Sequence, residues 1–128
     1  MLVVDNALGG AELLQLQQWV HDLEQRPGTP NQLLQYDETT ADGRTRRCRT
    51  ENFVPYHDGL RTLLTNGRIP DIAGALLGET AVLYKEKINY KAPGGSGFAA
   101  HQDAPAYPYV SNTIACMVAV DDSTLTNG

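Results

Sequence analysis

The sequence predicts one α+β domain, helical in its first part and stranded in its second. Three observations predict it. In AELLQLQQWVHDLEQ the apolar residues Leu13, Leu16, Trp19, Val20 and Leu23 return at helical spacing. In AVLYKEKINYK the pattern changes to a period of two, with Val82, Tyr84, Ile88 and Tyr90 on one face and Leu83, Lys85, Lys87, Asn89 and Lys91 on the other. Finally SNTIACMVAV, residues 111–120, is apolar almost throughout, as in a strand covered on both sides.

Taken in order, Leu2 to Val4 is apolar and β-branched enough for a short first strand, and Gly9-Gly10 separates it from the amphipathic helix. Pro27-Gly28 stops that helix. Asp42-Gly43 is a turn signal that joins two short strands, Leu33 to Tyr36 and Thr45 to Thr50. Asp58 to Asn66 and Ile69 to Leu77 read as two short helices, parted by Gly67 and with a proline near the start of the second. Glu86 is the one residue that interrupts the apolar face of the period-two segment. His21 sits beside the helical stripe and is expected to be structural or solvent-facing, and His57, at a helix start, to be a surface or capping residue. Residues 1–78 thus form a helical flank with short strands, and 79–128 supply strands.

With 41% hydrophobic and 20% charged residues, 128 residues suit one soluble domain. No apolar run approaches the roughly 18 residues of a membrane span, and MLVVDNAL is short and without a basic flank, so the expected location is cytoplasmic. A formal charge of -5 argues against nucleic acid or an anionic membrane as partner. The basic residues are nevertheless clustered, as Arg44, Arg46, Arg47 and Arg49 and as Lys85, Lys87 and Lys91. Such clusters suit a small anionic ligand or, equally, solvated loop and edge-strand charge. Cys48 and Cys116 lack metal-type spacing and read as free thiols.

The chemistry concentrates in GGSGFAAHQDAPAY, residues 94–107. On a strand, His101 and Asp103 would face one side together while Gln102 faces the other, which supplies two metal ligands from three residues. A third ligand from a distant strand would complete the 2-His-1-carboxylate set that holds non-haem Fe(II) with open positions. The small residues Gly97, Ala99 and Ala100 would leave room for a bound molecule. The bland alternative keeps both side chains as hydrogen-bonded structural residues.

KINYKAPGGSGFAAHQDAPAYPY followed by NTIACMVAVDDSTLTNG resembles the phytanoyl-CoA dioxygenase family of Fe(II)/2-oxoglutarate oxygenases. The order carries the resemblance: an Ile-Asn strand end, a Gly-rich loop, His-x-Asp, an aromatic-containing loop, an apolar strand and an acidic turn closing in Asn-Gly. It implies a double-stranded β-helix, the jelly-roll also used by cupins, with N-terminal helices and iron near the open end. By that resemblance His101 and Asp103 match the first two iron ligands, Lys87 and Asn89 match positions that contact 2-oxoglutarate, and Tyr107 falls beside the primary substrate. Met117 stands where relatives often have tryptophan. Lys87 and Asn89 also share a strand face by periodicity, which suits either a polar barrel wall or a solvent-facing side.

In the family the distal iron-binding histidine and the arginine for the far carboxylate of 2-oxoglutarate come from later strands, and neither residue can be nominated here. The expectation is therefore an incomplete barrel, belonging to a longer oxygenase or completed by a second chain. The implied activity is O2-dependent hydroxylation of a small organic substrate, with an anion favoured by the basic clusters. A cupin-like binding protein or pseudo-oxygenase, and a domain that assembles with a partner, are the competing readings.

Overall fold

The computed structural model describes residues 1–127, Ala104 by its backbone alone. Gly128, the end of the predicted acidic turn, lies outside the described residues. The predicted helix is α1, Gly10–Gln25, and its stripe does what the spacing requires: Leu16 and Leu23 are buried, with Leu13, Trp19 and Val20 half-buried beside them. Its first turn is closed by Glu12, whose carboxylate accepts the Gly9 N–H at 2.8 Å. His21 points to solvent, as expected, and lies 4.0 Å from Glu24.

The hairpin forms around Asp42-Gly43, with β1 at Leu34–Thr39 and β2 at Thr45–Glu51. Gly43 has φ +79°, a conformation that glycine adopts without strain. Hydrogen bonds from the Thr40 hydroxyl and the Arg44 N–H hold the Asp42 carboxyl below its ordinary pKa. β3, Lys87–Asn89, adds to the far side of β2, giving an antiparallel sheet of order β1-β2-β3. One sheet face lies on α1. There Gln35 Nε2 donates to the carbonyl oxygens of Leu23 at 3.2 Å and Arg26 at 3.1 Å, and the Tyr90 hydroxyl donates to fully buried Thr50 at 3.1 Å.

α2, Asp58–Thr65, and α3, Arg68–Leu77, follow the predicted limits closely. Gly78 ends α3 in the left-handed conformation and donates its N–H to the Gly74 carbonyl at 2.9 Å. Gly59 explains how α2 reaches α1: a Cβ there would stand 2.4 Å from the Trp19 indole, so only glycine allows this approach. The core is small, comprising Leu16, Leu23, Leu33, Phe53 and Leu60, with Trp19, Val20, Leu63, Leu64, Ile88, Val118 and Val120 packed on it. Among the described residues no helix is long and apolar enough to cross a membrane.

His57 caps α2 as expected: its Nδ1 accepts the Leu60 N–H at 3.1 Å, and its ring meets the Trp19 ring edge-on at 5.4 Å. Burial beside Trp19 holds the imidazole below its ordinary pKa of about 6.5. A depressed folded-state value means the unfolded chain binds the extra proton first, and protonation destroys the cap acceptor. The cap's contribution of about 1 kcal/mol is therefore fully present above pH ~6.5 and lost as pH falls through the lower folded-state value. Urea midpoints measured from pH 7.5 down to 5 should show this loss in the wild type, and His57→Asn, whose cap does not titrate, should lack that component.

Three expectations fail. Leu2–Val4 is not a strand; residues 1–7 run without regular structure, tied down where Arg68 Nη1 donates to the carbonyls of Asn6 and Ala7 at 2.9 and 3.1 Å. Of the period-two segment only Lys87–Asn89 pairs, and residues 111–120 form no strand. The reason is common to all three: alternation and apolarity select extended backbone, but a strand exists only where a neighbour takes its N–H and C=O groups, and β2 offers one edge over three residues. Residues 118–121 are held instead by side chains, with Val118 and Val120 on the core and Gln17 Nε2 donating to the Val120 carbonyl at 2.9 Å. The shown architecture is thus a helical layer on a three-stranded sheet, part of an α+β fold. Glu86, the break in the apolar face, turns inward to accept the Val54 N–H at 3.0 Å.

Candidate functional site

The second face of the sheet is polar. Tyr36, Arg49 and Asn89 are successive cross-strand partners, one row across β1, β2 and β3, and Lys87 stands two residues from Asn89 on the same side. Lys87 and Asn89 are exposed while Ile88 between them is half-buried, so the predicted face separation holds within β3, whereas Val82 and Tyr84 of the predicted apolar face are exposed. A cleft of about 90 Å³ opens here, lined by Glu38, Cys48, Arg49, Asn89, Tyr90, Lys91 and the loop Ser96–Phe98.

The Gly-rich loop is fastened to the hairpin at several points. Ala41 N–H donates to the Gly94 carbonyl at 3.1 Å, Ser96 N–H donates to Glu38 at 3.0 Å, and Lys91 Nζ donates to the Ser96 carbonyl at 3.2 Å. Gly94 has φ +74°, and a Cβ on Gly95 would meet the Glu38 carboxylate at 2.5 Å, so these glycines let the loop lie against β1. Phe98 then lies near the Arg49 guanidinium, 6.0 Å from ring centre to Cζ, and three residues later comes His101.

His101 and Asp103 do come together, although not on a strand. They occupy an irregular segment ahead of a short 3₁₀ turn at Ala104–Ala106, with Nε2 of the histidine 3.3 Å from Oδ1 of the aspartate. Both side chains are about half exposed. Nδ1 of His101 lies 2.8 Å from the Ala99 carbonyl, so the Nδ1–H tautomer donates there and turns the Nε2 lone pair toward the carboxylate. Two acceptors facing each other at that distance require a proton or a cation between them.

A divalent first-row metal fits the pair. Donors about 2.1 Å from such an ion and about 90° apart stand about 3.0 Å from each other, close to the separation seen, and imidazole with carboxylate is the donor mixture non-haem iron uses. These two donors would fill two positions of a facial set; among the described residues no group of three or more His, Cys, Asp and Glu could hold a metal.

Tyr107 is not on the cleft. Its ring packs edge-on against Tyr84 at 5.1 Å, beside a broader opening lined by Leu34, Glu51, Asn52, Tyr84, Lys85 and Glu86. Tyr84 was legible only as an apolar-face residue, and Glu38, Glu51 and Phe98 carried no sequence signal. The arginine cluster divides. Arg44 and Arg47 pair with Asp42 at 3.5 Å and Asp37 at 2.6 Å, the bland outcome, whereas Arg49, paired with Glu51 at 3.3 Å, also lines the cleft. Cys48 and Cys116 are free thiols.

The phytanoyl-CoA dioxygenase (PhyH) family profile matches residues 1–128. The chain belongs to the phytanoyl-CoA dioxygenase family. Among relatives it is 51% identical over 121 residues to the methylphosphonate hydroxylase of Gimesia maris, covering 94% of this chain and 46% of that protein. It is 43% identical over 116 residues to the 2-aminoethylphosphonate dioxygenase of an uncultured bacterium, covering 88% and 44%. With a dioxygenase of Epichloe uncinata it shares 34% identity over 118 residues, covering 91% and 46%. The chain spans less than half the length of each of these family members. No solved structure matches it.

Proposed function

We propose that this chain is the helical flank and first barrel strands of an Fe(II)/2-oxoglutarate-dependent dioxygenase that hydroxylates a small organic phosphonate. Family membership and the names of the relatives support the reaction class and the substrate class. A probable alpha-ketoglutarate-dependent hypophosphite dioxygenase of Stutzerimonas stutzeri, 28% identical over 99 residues, supports the cosubstrate. The observation that carries the reading is the His101–Asp103 pair, an imidazole nitrogen and a carboxylate oxygen 3.3 Å apart, with the Ala99 carbonyl taking Nδ1 and leaving Nε2 toward Asp103.

In this reading His101 Nε2 and Asp103 Oδ1 hold Fe(II), and Lys87 and Asn89 on the polar sheet face hold 2-oxoglutarate. When bound, the iron and 2-oxoglutarate supply the O2-activating chemistry that the side chains lack. The chain binds, orients and encloses: the polar face of β1-β2-β3 becomes the inner wall of a double-stranded β-helix, while α1 covers the outside. Tyr107, which packs on Tyr84 off the cleft, is not assigned a substrate contact.

The test is succinate formation from 2-oxoglutarate by the full-length protein, with Fe(II), O2 and methylphosphonate. Oxygen-dependent succinate that rises with methylphosphonate is expected. No succinate, together with Mn(II) and 2-oxoglutarate that bind without mutual dependence, would instead assign a cupin-like binding module.

A further inference from the structure

We propose that Arg49 is the residue that anchors the phosphonate group of the substrate. This rests on the oxygenase reading and adds a residue to it. Arg49 stands directly across the ladder from Asn89, on the polar sheet face, and lines the same cleft. Its guanidinium is oriented by its surroundings. The Tyr36 ring lies under it at 4.4 Å, Glu51 Oε1 lies 3.3 Å from its Nε, and Phe98 borders it from the loop that leads to His101. The Nε is buried and has no hydrogen-bond partner, its contact with Glu51 being an ion pair without hydrogen-bond direction.

Charge around the cleft is out of balance. Of the charged residues that line it, Arg49 and Lys91 meet one carboxylate, Glu38. Glu38 is engaged by the Ser96 N–H, and Glu51 is divided between Arg49 and Lys85, each at 3.3 Å. Asp37 is already taken by Arg47. An oxyanion in the cleft would give the planar guanidinium paired acceptors, with Lys91 as a further donor. The same chemistry could come from a carboxylate of 2-oxoglutarate. The phosphonate is favoured because it offers three oxygens and up to two charges to this excess of cations.

The test is calorimetric titration of the full-length protein, loaded with Mn(II) and 2-oxoglutarate, with methylphosphonate as the probe. Arg49→Met should weaken methylphosphonate binding about 10- to 100-fold, the range for a lost charge-assisted hydrogen-bond pair, and leave 2-oxoglutarate affinity within about twofold. Arg49→Lys, which keeps the charge and loses the fork, should fall between and carries the test if the methionine variant does not fold. Equal methylphosphonate affinity in wild type and variants overturns the proposal, and so does a loss that falls on 2-oxoglutarate instead. Failure of the wild type to bind 2-oxoglutarate with metal would overturn the underlying oxygenase reading, a result distinct from either.

Discussion

Succinate formation should disappear when either His101 or Asp103 is replaced by alanine in the full-length protein, with a loss greater than about 100-fold. That floor follows because removing even an outer-sphere partner of a metal ligand costs about 10- to 100-fold, and these two residues are the proposed ligands themselves. Each change also removes one of the two donors that face each other across 3.3 Å. Folding should survive, since both side chains are about half exposed and absent from the core. An unchanged far-UV spectrum together with lost Mn(II) binding is the expected pattern. Retained succinate formation in both variants would remove the pair from the metal site.

Leu23→Ala should destabilise the fold by about 2–5 kcal/mol, read as a fall in urea midpoint at unchanged slope. Leu23 is 1% exposed and belongs to a core cluster of five buried side chains. Its own carbonyl is the acceptor for Gln35 on β1, so a shift of α1 also loosens the hairpin. In a domain whose total stability is of order 5–15 kcal/mol, such a loss takes away a large share. The exposed Leu14 on the same helix is the control: at 69% exposure its replacement by alanine should change stability by less than about 0.5 kcal/mol.

Much of the fold was legible because local chemistry decided it. The stripe from Leu13 to Leu23, the Asp42-Gly43 turn and the Gly67 break before α3 each act within a few residues, and each element stands where its pattern predicts. The strand at residues 111–120 was misread because apolarity reports the wish for cover, whereas a ladder needs a partner at the right distance, and among the described residues that partner is missing. The site divides in the same way. His-x-Asp was visible as a pair of donors, and the pair meets at 3.3 Å, but through an irregular backbone rather than a strand.

By itself, then, the sequence determined the helices, the hairpin, the polar side of β3 and the identity of the two donors, because periodicity, turn residues and ligand chemistry are local properties. Only the tertiary structure decided which arginine of four reaches the cleft and that Glu38 fastens the Gly-rich loop. Those facts depend on register, on the bulge at Tyr36/Asp37 that places Asp37 against Arg47 and Tyr36 against Arg49, and on contacts between residues up to 58 positions apart. A one-residue change in that register would exchange the neutralised arginine for the one that faces the cleft.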